Sequence, residues 1–186
     1  MRKIIVGVTT VCLLLSGVLA VSAAAPANFA GTWALDKSKS EGLSPQAAAI
    51  ESPTLTVAPV AQQFTADSKT TMGSQPDAAA GGGGQGRGRV MGLFPQNASY
   101  KLDGTETTAD NPGGRGGTTT FKATWKDGGK TLELKRVGKF SFQGNDVTIT
   151  TTEDWTLSAD GKTLTIKRTS ESPRGTQNST LVFNKQ

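Results

Sequence analysis

Arg136, Glu153 and Arg168 are three ionisable side chains on the apolar parity of alternating segments in the C-terminal half of this 186-residue chain. Two guanidiniums and one carboxylate can do two kinds of work there. They can form a satisfied ion-pair row at the rim of a core, where an unpaired charge would be costly. They can also leave net positive charge in an apolar cavity, which would hold the carboxylate of a lipophilic ligand bidentately. Acid–base catalysis by Glu153 is a third and poorer reading, because no second acid or nucleophile is evident beside it. The chain has no histidine and a single cysteine, Cys12. A Ser-His-Asp triad, a Cys-His pair and a histidine-bearing zinc site are therefore excluded, and neither a metal nor a cofactor is expected.

The alternation itself places these groups. Phe121, Ala123 and Trp125 share one parity, as do Leu132, Leu134, Phe140 and Phe142, then Val147, Ile149, Trp155 and Leu157, then Leu164 and Ile166. Residues two apart on a strand share a face, so this set reads as a core face and the Thr, Lys, Glu and Asp between them as a wet one. A two-residue loop at Gly144-Asn145 predicts Gln143 opposite Asp146 and hence Arg136 opposite Glu153. The next hairpin, turning at Ala159-Asp160-Gly161, pairs Leu157 with Leu164 and puts Glu153 opposite Arg168. The expectation is one lateral row of three charges on adjacent strands, with Cβ atoms about 5 Å apart. A bulge at Gly138 would take Arg136 off that row.

The elements that carry this row read as all-β. Strands are predicted over Phe29–Leu35, Thr54–Val57 with Gln62–Thr65 as a hairpin, and Lys69–Met72 as a short continuation. A weak strand pair follows near Ser99–Thr108, and then Thr119–Trp125, Thr131–Phe142, Val147–Leu157, Thr163–Ser170 and Thr180–Asn184. One or two helical turns are expected over Leu43–Ile50, with Ser44 as cap and Pro45 at the first helical position. Lys130–Arg136 recurs in kind as Lys162–Arg168, so one hairpin pattern is used twice. Residues 73–92 and 111–117 are Gly-rich loops; the first lacks the Gly-Lys-Ser/Thr ending of a phosphate cradle.

Residues 1–23 read as a secretory signal peptide: Met1-Arg2-Lys3, an apolar run to Ala20, and small residues at Val21-Ser22-Ala23. Its removal takes Cys12 away and lowers the formal net charge from +5 to +3. That is too small to imply nucleic acid. No transmembrane segment remains, and an outer-membrane barrel would put the three charges in lipid. A single exported domain, 24–186, secreted or periplasmic and monomeric, is the expectation.

Phe29-Ala30-Gly31-Thr32-Trp33-Ala34-Leu35 resembles the Gly-x-Trp first strand of lipocalins and fatty-acid-binding proteins. With Asp36–Ser40 and the later Trp155–Thr165 segment, the chain is similar to secreted, lipocalin-like (calycin-type) bacterial proteins, many of them from acidobacteria. The resemblance implies an antiparallel up-and-down β-barrel of about eight to ten strands, closed by its last strand around an interior cavity. It implies that Gly31 and Trp33 are a structural signature, with Trp33 covered by a late basic residue, Arg168 or Lys185. It implies a non-enzymatic ligand-binding role in which Arg136 and Arg168 resemble the interior arginines that hold a ligand carboxylate. No Thr-Asp-Tyr motif occurs in the middle of the chain and no Arg-x-Tyr near its end. The expected ligand-binding residues are thus Arg136, Glu153, Arg168, Trp125 and Trp155, and the expected partner a small hydrophobic, anionic molecule. The alternative is a structural or interaction protein of the cell envelope with a filled core.

Overall fold

The computed structural model describes residues 25–43, 52–60, 63–71, 98–111, 117–142 and 144–186, with Pro45 and Ala48. The signal peptide expected over residues 1–23 and the Gly-rich stretch 73–92 lie outside the described residues, as does most of 111–117. Of the helical turn expected over Leu43–Ile50, Pro45 and Ala48 are helical, and the Ala48 carbonyl accepts a hydrogen bond from Lys37 Nζ at 2.9 Å.

Ten strands form one antiparallel sheet: β1 (Gly31–Leu35), β2 (Ser52–Val60), β3 (Gln63–Thr71), β4 (Ser99–Lys101), β5 (Thr107–Asp110), β6 (Thr118–Lys126), β7 (Thr131–Phe142), β8 (Asn145–Leu157), β9 (Thr163–Ser172) and β10 (Gly175–Lys185). Their order is β4-β3-β2-β1-β10-β9-β8-β7-β6-β5, an up-and-down barrel in which the last strand pairs with the first. The fold is all-β and antiparallel, as the alternation implies, and its ten strands follow the expected up-and-down barrel order. β2 and β3 form one uninterrupted hairpin from Ser52↔Thr71 to Val60↔Gln63, longer than the expected pair. β4 and β5 correct a second expectation, because they do not pair with each other. They are the two edges of the sheet, and they meet at a seam where Thr107 Oγ1 donates to the Ser99 carbonyl at 3.1 Å.

The interior is built in lateral rows, each one residue from successive strands. Leu157, Leu164, Phe183 and Leu35 form the row nearest one end. Trp125, Leu132, Trp155, Ile166 and Leu181 form the next. These rows are apolar and largely dry: Leu132, Trp155, Leu164, Ile166, Leu181 and Phe183 are fully buried, with Trp33 beside them, while Leu35, Trp125 and Leu157 are half-buried. Phe29 plugs this end, stacked on Trp125 at 6.1 Å and edge-on to Phe64 and Trp155 at 6.3 and 6.0 Å. The Trp33 indole donates to the Phe29 carbonyl at 2.9 Å, and Lys185 Nζ lies 5.3 Å from the ring centroid. Lys185, and not Arg168, is thus the late basic residue over Trp33.

Beyond the dry rows the same parity turns polar. Ala123, Leu134, Glu153, Arg168 and Ser179 form the third row, and Phe121, Arg136, Thr151, Ser170 and Gln177 the fourth. Farther along the same parity, Phe140, Val147 and Ile149 are half-buried. The outer face is polar, as in the row Lys122, Lys135, Thr152, Thr169 and Asn178. Among the described residues no helix is long and apolar enough to cross a membrane.

Candidate functional site

The β8–β9 hairpin has the register expected of it, and Glu153 lies opposite Arg168. Arg168 Nε donates to Glu153 Oε1 at 2.8 Å. The other carboxylate oxygen, Oε2, accepts the indole N–H of Trp155 at 2.9 Å. Trp155 sits two residues along the strand on the same face, so the carboxylate reaches along its own strand as well as across to the next. Glu153 is 5% exposed, and both of its oxygens are engaged.

Arg136 is placed differently from the expectation. β7 and β8 pair from Thr131↔Thr156 to Phe142↔Asn145, which puts Leu134 opposite Glu153 and Arg136 opposite Thr151. The two loop positions are therefore 143 and 144, not Gly144-Asn145. Gly144 takes the second loop position with φ +78°, a conformation costly for a side chain with a Cβ, and Asn145 opens β8. The ladder runs unbroken through Gly138↔Ile149, so no bulge is involved. Arg136 keeps its face and changes its neighbours. Its Nη2 approaches Thr151 Oγ1 at 3.4 Å, and Thr151 Oγ1 lies 3.5 Å from Ser170 Oγ. Among the described residues Arg136 has no carboxylate within ion-pair distance, whereas Arg168 has Glu153.

The three expected charges thus divide into a closed unit of Glu153, Arg168 and Trp155, and a separate cation on the adjoining row. Trp155 is wholly buried and Trp125 is stacked on Phe29, so both belong to the aromatic plug. One member of the cluster was not expected from sequence. Tyr100, on β4, is 4% exposed and its ring meets Phe121 edge-on at 5.3 Å. Phe121 is the Cα partner of Arg136. Burial, and then the negative charge of Glu153, hold the Tyr100 phenol well above the usual tyrosine range, with Arg136 and Arg168 opposing. Its sequence neighbours, Ser99 and Lys101, give it no recognisable motif, and its contact with β6 crosses the seam.

The site offers a guanidinium, a neutral phenol and two hydroxyls around a carboxylate already neutralised by its own arginine. Such a set can hold an oxyanion by charge and hydrogen bonds; it has no free nucleophile–base pair. Among the described residues no group of three or more acidic, cysteine or histidine side chains could hold a metal ion.

No family model matches this chain, and no curated protein matches it. Among solved structures it is similar to the crystal structure of the zebrafish ileal bile acid-binding protein complexed with cholic acid, with 15% identity and a TM-score of 0.45 over 85% of this chain and 98% of that one. At that level the likeness is one of general chain path and transfers no residue role.

Proposed function

We propose that this chain is an exported, non-enzymatic binding protein that holds one small hydrophobic, anionic ligand inside its barrel. The observation that carries the reading is Arg136, a cation on an interior row with no carboxylate partner among the described residues, while the carboxylate of the adjoining row is spent on Arg168 and Trp155. Two arginines against one glutamate leave a surplus positive charge, and desolvating such a charge costs several kcal/mol unless an anion or water compensates it. The half-buried Phe140, Val147 and Ile149 continue the inner parity of β7 and β8 beyond Arg136 and Thr151. An amphiphile with its head at Arg136 would lay its apolar part along them. Export rests on the N-terminal segment, and catalysis by Glu153 is disfavoured because both of its oxygens are engaged.

A second reading has its own support. The rows nearest Trp33 are filled by fully buried aromatic and aliphatic side chains, as in a structural protein that needs no ligand. Native mass spectrometry of protein purified from its own host separates the two. A retained small molecule on a monomer is the expected result. A bare apo mass in repeated preparations would favour the filled, structural barrel.

A further inference from the structure

Tyr100 is the one tyrosine in the chain. It comes from β4, at one edge of the sheet, and reaches across the seam to Phe121 of β6. Phe121 lies beside Arg136 in the fourth row, so Tyr100 reaches that row through Phe121, from the seam side of β6. Every fully buried side-chain nitrogen and oxygen among the described residues has a hydrogen-bond partner. The Tyr100 hydroxyl has none among them, so it must border free space even though the residue as a whole is 4% exposed. A neutral phenol there is a donor with no acceptor among the described residues.

We infer that Tyr100 is a second head-group donor at the Arg136 site, and that phenol and guanidinium together select an amphiphile whose head is a singly charged oxyanion. The inference rests on the binding role proposed above and adds the residue and the head-group class. Arg136, Arg168 and Glu153 sum to one positive charge, which a monoanion neutralises. A dianion would bury an unbalanced negative charge beside Glu153, and a cationic head would bring like charge against Arg136. An uncharged head would satisfy the phenol and leave the guanidinium uncompensated. Charge-assisted hydrogen bonds are the stronger kind, so the difference is expected in affinity and not only in pose.

Two probes with one skeleton test this. 1-Anilinonaphthalene-8-sulfonate carries a single sulfonate, and N-phenyl-1-naphthylamine is the same framework without it. Fluorescence titration of the wild-type protein should show the sulfonate bound at least tenfold more tightly. Tyr100→Phe, which removes only the hydroxyl, should weaken the sulfonate about fivefold to tenfold and change the neutral probe less than twofold. In wild-type protein labelled with ¹³C at tyrosine, the single Cζ resonance should shift with the sulfonate and stay within a small fraction of that shift with the neutral probe. That spectrum keeps the test independent of how the variant folds. Sulfonate affinity unchanged in Tyr100→Phe, equal loss of both probes, or a silent Cζ resonance would each overturn the role of Tyr100 while leaving the binding reading standing. Failure of the wild-type protein to bind either probe would overturn both.

Discussion

Replacing Arg168 with Met would leave the Glu153 carboxylate, 5% exposed, with the Trp155 indole as its remaining donor among the described residues. Breaking one side of such a buried pair costs about 3 kcal/mol, whereas removing both charges is close to neutral. Urea unfolding should therefore show a much lower midpoint for Arg168→Met and substantial recovery in the double variant Glu153→Gln/Arg168→Met. A double variant as unstable as the single one would contradict the closed-pair account. Tyr100 gives a second residue-scale prediction. Its phenol is raised by burial and by Glu153, so the folded state keeps the proton that an exposed tyrosine loses near about pH 10. Folded protein then binds more protons than unfolded above that pH, so this contribution to stability is complete below about pH 10 and is lost as pH rises beyond it. Absorbance at 295 nm should stay flat through pH 10 and rise together with loss of the β-sheet circular dichroism. A separate ionisation step in still-folded protein would contradict it. None of this was legible from the residues near Tyr100, because the partners that define its environment lie on β6, β7, β8 and β9.

The β7–β8 hairpin shows at the scale of one element what a sequence tells and what it withholds. Alternation fixed which side chains face inward, and Arg136, Glu153 and Arg168 do share the inner parity with Leu134 and Ile166. The partner of each residue depended on the turn, and Gly144 could serve as the first or the second loop residue. Moving the loop by one position shifts each partner by two residues, so the face survives while Arg136 trades Glu153 for Thr151. The β8–β9 turn left no such choice, and its register agreed throughout. Amide and Hα NOEs should link Arg136 to Thr151 and Leu134 to Glu153; links from Arg136 to Glu153 would restore the other register. A further element-scale prediction concerns Gly42, where the chain returns to β10 through the Glu41↔Thr180 bridge. Its φ is +65° and an added Cβ would lie 2.4 Å from the Asn178 carbonyl oxygen. Gly42→Ala should lower stability by at least about 1 kcal/mol and speed amide exchange at Thr180, which the Glu41 carbonyl now protects. Unchanged exchange would argue against that docking.

The whole barrel is graded along its axis. Two dry rows and the Phe29 plug fill one end, the Glu153–Arg168–Trp155 unit follows them, and the Arg136 row, with Tyr100 against Phe121, comes next. The dry rows supply stability by apolar burial, and the polar rows spend some of it on charge that a filled core would not need. Ligand binding in the polar half should stabilise the fold by mass action, so the thermal midpoint should rise with anionic amphiphile concentration. The central claim is that Arg136 is the unneutralised interior cation that holds the ligand. The most direct measurement is the affinity ratio of 1-anilinonaphthalene-8-sulfonate to N-phenyl-1-naphthylamine in wild type and in Arg136→Gln. The account predicts a ratio of at least about 10 in wild type, worth about 1.4 kcal/mol, that falls to within twofold of unity in the folded variant. A ratio that survives the substitution, or wild-type protein that binds neither probe, would contradict it.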